Sequence, residues 1–145
     1  MSNLSEQLTE LMNEDGYNQT TLAKALKTPR AKISLYLTGK SVPNFKYFVT
    51  LIEFFNCSAD FLAGLNDYPT RDATYKPVQP FNIRLREILK LKEKTQKSLI
   101  ESQHISWNTL HGWLSGKSFP SVENLIKLAK FFNCSVDFIL GRTDY

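Results

Sequence analysis

The chain has 145 residues, 42% hydrophobic and 22% charged, a balance that suits a folded globular protein and excludes a disordered one. That length holds one average domain or two small ones, and no apolar run reaches the roughly 18 residues that cross a bilayer. The net charge is only +4, yet residues 16–52 carry Lys24, Lys27, Arg30, Lys32, Lys40 and Lys46 with no Asp or Glu, a one-sign stretch that suits an anionic polymer as well as a merely solvated face.

In chain order, Leu4, Leu8, Leu11 and Met12 recur at helical spacing and predict a helix over 4–14, which Gly16 ends. QTTLAKAL at 19–26 predicts a second short helix with Leu22, Ala23 and Leu26 inward. A tight turn at Lys27 and Thr28 leads into a third helix over 29–37, where Pro29 suits a first turn. Ile33 and Leu37 plug this helix into the core and leave Arg30, Ala31, Lys32, Ser34 and Leu35 outward. Gly39 and Pro43 break the chain again. A fourth helix over about 44–55 buries Phe45, Phe48, Leu51, Ile52 and Phe55, and Ser58 caps a short fifth.

Shifting the chain by 77 residues lays 4–68 on 81–145 without a gap, and 20 of the 65 pairs are identical, against roughly four for average composition. The GKS at 39–41 returns at 116–118, FFNCS at 54–58 returns at 131–135, and Pro43 returns as Pro120. Such self-similarity is duplication. The expected fold is all-α: a five-helix domain over 1–68, a linker over 69–80, and a second five-helix domain over 81–145. Helices of the second copy are expected at about 82–94, 96–103, 107–115, 121–132 and 136–141. Prolines at 69, 77 and 80 stiffen the linker, unless it packs along one domain as an ordered strap. Cys57 and Cys134 lie in the matching FNCS tetrapeptides and read as small buried apolar side chains. The start, MSNLSEQLTE, lacks the basic-then-apolar pattern of a secretory leader, so a cytoplasmic protein is expected.

Gln19, Leu22, Ala23, Ile33, Tyr36, Gly39, Lys40 and Pro43 follow an ordered pattern, and Gln96, Leu99, Leu110, Trp113, Gly116, Lys117 and Pro120 repeat it. These residues resemble the phage-repressor (Cro-like, XRE) helix-turn-helix family, over nearly the whole chain outside the linker. The resemblance implies a sequence-specific regulator of transcription acting on double-stranded DNA, most simply a repressor. It implies base contact by Arg30, Ala31, Lys32 and Leu35 in the first copy and by Trp107, Asn108, Thr109 and Gly112 in the second. Arg30 and Lys32 suit guanine O6 and N7, Asn108 suits adenine, and Thr109 suits a thymine methyl. Phosphate contact is expected from Gln19, Thr20 and Lys40, and from Gln96, Lys97 and Lys117, beside the ends of the reading helices.

The second copy departs from the first. Its window 96–123 balances Lys97 and Lys117 with Glu101 and Glu123, Ile100 replaces a small residue, and Trp107 has no standard base partner. Its positive charge sits earlier, at Arg84, Arg86, Lys90, Lys92, Lys94 and Lys97. In both copies the turn before the reading helix holds Lys27 or His104 where the family usually has glycine. A protein-interaction module, in the second copy above all, and a DNA-binding antitoxin are the rival readings. Paired binding could come from the duplication itself or from a homodimer. His104 and His111 have no Cys or carboxylate cluster beside them, so no metal, no catalytic constellation, no cofactor and no small-molecule ligand is expected.

Overall fold

The computed structural model describes residues 4–144, and among these the secondary structure consists of ten α-helices and no strands. The chain divides into two units, residues 1–72 and 73–145. In the first, α1 (Leu4–Asp15), α2 (Gln19–Leu26), α3 (Arg30–Leu37), α4 (Phe45–Phe55) and α5 (Ala59–Leu62) follow in order. In the second, the order is α6 (Phe81–Leu91), α7 (Gln96–Gln103), α8 (Trp107–Ser115), α9 (Val122–Phe132) and α10 (Val136–Ile139).

Side-chain caps start most of these helices. Asn18, Asn44 and Ser58 accept from the backbone N–H three residues on in α2, α4 and α5. Thr95, Ser106, Ser121 and Ser135 do the same in α7 to α10. Each such bond satisfies an amide that the helix itself leaves open. Pro29 lies just outside α3 as its cap residue rather than in its first turn. The left-handed turns recur with the repeat period: Gly16 and Glu93, Lys27 and His104, Gly39 and Gly116, Asn56 and Asn133, Gly64 and Gly141 all have positive φ.

Each core forms from the apolar stripes of its own five helices. Leu8, Leu11, Leu22, Ile33, Phe48, Leu51, Ile52, Phe55 and Phe61 are fully buried in the first unit. On α3 the partner of Ile33 in the core is Tyr36, and Leu37 is only half-buried. Positions 36 and 37 flank the stripe of Ile33 on opposite sides, at i+3 and i+4, and the core covers the side that carries Tyr36. Cys57 is buried and Cys134 half-buried, and neither forms a disulfide. In both units the first helix is locked to the last by one polar side chain at the same repeat position. Gln7 Nε2 donates to the Phe61 carbonyl at 3.0 Å, and Arg84 donates to the Phe138 carbonyl through Nε at 3.0 Å and Nη2 at 2.6 Å.

The proline-rich connection is hydrogen-bonded at both of its ends. Toward the first unit, the Pro69 carbonyl accepts from the Ser58 amide at 2.6 Å, and the Arg71 carbonyl accepts from Asn56 Nδ2 at 2.9 Å. The Arg71 guanidinium grips Asp15 through two bonds of 2.6 Å, reaches Glu14 at 3.3 Å, and donates from Nε to the Phe55 carbonyl at 3.0 Å. Toward the second unit, the Lys76 amide donates to the Arg142 carbonyl and the Gln79 amide to the Leu140 carbonyl, both at 3.0 Å. Lys76 also pairs with Asp144. Arg142 lies 4.0 Å over the Tyr75 ring and makes a buried ion pair with Asp137 at 2.7 Å. Gln79 covers Gly141, where a Cβ would come within 2.8 Å of its side chain, so glycine suits that site by space as well as by its positive φ.

Candidate nucleic-acid interface

The two helices expected to read bases, α3 and α8, each bury one stripe and leave the other in solvent. On α3, Ile33 and Tyr36 are buried while Arg30, Ala31, Lys32 and Leu35 are exposed. Ala23 is buried where α2 packs on α3, and its small side chain permits that approach. The chain reaches α3 through Lys27 at φ 54° and Pro29, and leaves it through Gly39 at φ 75°. Lys40 then stands exposed, its amide bonded to the Leu35 carbonyl at 3.0 Å. Gln19 is half-buried and Thr20 exposed in the first turn of α2. Asn18, one residue earlier, forms a reciprocal capping box with Thr21 through bonds of 2.8 and 2.9 Å.

Charge on this face is uncompensated. Among the described residues, no carboxylate lies within ion-pair distance of Arg30, Lys32 or Lys40. Lys32 nonetheless has a partner that periodicity does not reveal: its ammonium lies 4.8 Å over the ring of Tyr47, in the first turn of α4. The Tyr47 hydroxyl donates to Thr28 Oγ1 at 2.7 Å, and its ring packs on Tyr36 at 5.4 Å. Burial raises the Tyr36 phenol above its ordinary value, and the nearby Tyr47 adds to the shift. A fork in the sequence signal hides this cluster, because its four members belong to α3, α4 and the turn before α3.

The second unit presents a different face in the same frame. Trp107 is 61% exposed and stacks on His111, with ring centroids 3.8 Å apart and 24° between planes. These residues are one turn apart, so the stack lies along the outer face of α8. Asn108 is exposed. Thr109 is half-buried and its hydroxyl is taken up by the cap, accepting from Ser106 Oγ at 2.8 Å. Gly112 is half-buried against Ser118, whose hydroxyl stands where a Cβ would project. The loop after α8 folds back here, with the Lys117 and Ser118 amides donating to the Gly112 carbonyl at 3.0 and 3.2 Å. Gln96 is half-buried at the start of α7, and Lys97 and Lys117 are exposed. Ile100, in the place of Ala23, stays half-buried.

A helix-turn-helix model describes residues 8–62, and the model described as the Cro/C1-type HTH DNA-binding domain describes residues 84–144. The chain belongs to the Cro/C1-type helix-turn-helix family and carries its domain twice. Between them the two matches take in all ten helices except the first turns of α1 and α6. The HTH-type transcriptional activator BcrR of Enterococcus faecalis is 35% identical over 61 residues, 42% of this chain and 30% of that protein. The uncharacterized HTH-type transcriptional regulator YobD of Bacillus subtilis (strain 168) is 34% identical over 61 residues, 42% of this chain and 54% of that protein. Each match therefore takes in less than half of this chain, and covers 30% and 54% of the two relatives rather than either as a whole. No solved structure matches the chain significantly. Among the described residues of the tandem, no group of three or more His, Cys, Asp or Glu is gathered that could hold a metal, and no helix is long and apolar enough to cross a membrane.

Proposed function

We propose that this tandem Cro/C1-type protein binds double-stranded DNA sequence-specifically and regulates transcription, most simply as a repressor that occupies its site. The observation that carries the reading is α3: Arg30, Ala31, Lys32 and Leu35 stand exposed on a helix whose other stripe is locked into the core. A short exposed helix fits the major groove, and an unpaired Arg at its first turn suits guanine. Gln19, Thr20 and Lys40 flank that helix, and Gln96, Lys97 and Lys117 flank α8, where phosphates would lie. One such domain covers little DNA, on the order of 600–1,000 Å², so affinity calls for two. The duplication, or a homodimer, provides them.

Recovery of bound sequences from a random duplex pool tests the reading. Enrichment of one motif is expected, with affinity falling between 50 and 200 mM salt at a log–log slope of about −4 to −7. A pool that stays random, or binding indifferent to salt, would overturn it. A promoter reporter carrying the recovered motif then gives the sign of regulation, with reduced output expected. A protein contact is the second reading for α8, favoured by Trp107 at 61% and Phe119 at 41% exposure.

A further inference from the structure

We infer that the second domain holds a backbone phosphate in a basic notch formed by Arg86, Lys90 and Lys94, apart from its reading helix; this rests on the DNA-binding reading above. Arg86 and Lys90 are four residues apart and share one face of α6. Lys92 ends that helix, and Glu93 turns the chain back through a left-handed conformation at φ 53°. Lys94 then stands beside Thr95, the cap of α7. The result is a shallow cleft of about 380 Å³ lined by Arg86, Leu89, Lys90, Lys94, Thr95 and Gln96.

All three cations of the notch are exposed, and among the described residues none lies within ion-pair distance of a carboxylate. Two of them are held in place. Arg86 Nη2 donates to the Leu114 carbonyl in the last turn of α8 at 3.1 Å, which leaves other guanidinium donors for a ligand. The Lys94 ammonium lies 5.5 Å over the Phe131 ring. Three like charges round one cleft repel each other, and an anion placed among them removes that repulsion while gaining attraction from each. Gln96, one of the residues assigned to phosphate above, lines the same cleft. A phosphate entering it would thus also meet the positive end of α7.

The duplication provides the internal comparison. The same three positions in the first domain are Thr9, Asn13 and Tyr17, all uncharged. Tyr17 packs on Phe54 at 5.5 Å where Lys94 lies over Phe131. The notch is therefore specific to the second domain, whose window around the reading helix is neutral. Its anchoring charge has another address, on α6 and the turn that follows.

Lys90→Gln/Lys94→Gln in the full chain tests this, with Lys90→Glu alone as the second variant. The probes are a duplex recovered by the wild-type chain from the random pool and a scrambled duplex of equal length. Both variants should lose about fivefold to tenfold in affinity at 100 mM salt, equally on both probes, and the double variant's salt slope should be shallower by about one. Phosphate ethylation should reveal a position that blocks wild type and no longer matters to the double variant. An unchanged slope and an unchanged ethylation pattern would overturn the notch while leaving the DNA-binding reading intact. A loss confined to the recovered sequence would also overturn it. Failure of the wild type to bind either probe would overturn both.

Discussion

The ammonium of Lys32 lies 4.8 Å over the ring of Tyr47, across the gap between α3 and α4. Such a contact contributes about 0.5–1 kcal/mol at an exposed site. That is enough to choose among the rotamers of a flexible chain without preventing its departure to a base. Tyr47→Leu removes the ring, and the preference at the base pair met by Lys32 should weaken about threefold. Tyr47→Phe keeps the ring and loses only the bond to Thr28, so it should keep the preference at a stability loss of about 1 kcal/mol. Competition binding with singly altered duplexes separates the two variants. Equal effects on preference would show that the ring does not steer Lys32.

Arg30 opens α3 and Lys40 lies beyond its end, past Gly39, and the two should fail in different ways. Arg30→Ala should cost about 1–3 kcal/mol and relax discrimination at one base pair, because a bidentate guanine contact is specific to its partner. Lys40→Ala should weaken every duplex alike and flatten the salt slope by about one. Competition against random duplex measures both. Equal loss on cognate and random DNA for Arg30→Ala would place that residue on the backbone.

Glu93 occupies the left-handed position that Gly16 occupies one repeat earlier, at φ 53° and 74°. A side chain there costs roughly 1–2 kcal/mol, and glycine's extra freedom in the unfolded chain returns about 0.5–1 of it. Glu93→Gly should therefore raise the melting temperature of the second domain by a few degrees. Calorimetry checks the sign, and a lower melting point would mean that the Glu93 side chain makes contacts worth more than the strain.

The grip of Arg71 on Asp15 gives the first domain an acid limit. The hydrogen bonds from Arg71, ahead of its charge, hold the Asp15 carboxyl below the usual 3.8, although partial burial works the other way. A depressed folded value means that the pair's stabilisation is present above about 3.8 and is lost as pH falls through the lower folded value. Both side chains are 27–28% exposed, so about 1 kcal/mol is the expected size. Denaturant midpoints between pH 2 and 6 should fall more steeply for wild type than for Asp15→Asn. Parallel curves would remove the pair from the acid limit.

Much of this arrangement is legible in the residues because its punctuation is local. Ser58, Ser106, Ser121 and Ser135 start helices by accepting from an amide three residues on, and a cap depends on no distant partner. The choice between Tyr36 and Leu37 as the second core residue of α3 was not legible: RAKISLYL places apolar residues at 33, 35, 36 and 37, and eight residues define no single stripe. Gly112 was equally opaque as a site residue, since what occupies the space of its missing Cβ is Ser118, beyond the end of its helix. The hydrogen bonds of 69–79 left no trace in hydrophobic periodicity because they run through backbone groups and through charged or polar side chains such as Arg71 and Asn56.

Those same bonds decide what can be moved as a working part. A graft of residues 81–145 into another protein would strip the Leu140 and Arg142 carbonyls of their donors and take away the Tyr75 ring that the Arg142 guanidinium lies over. A graft ending at 68 would leave Asp15 and Glu14 without Arg71, and Asn56 without the carbonyl it holds. The portable pieces are longer than the repeated block, and their natural seam falls between Asp72 and Ala73. Any chimera built from this protein should be joined there.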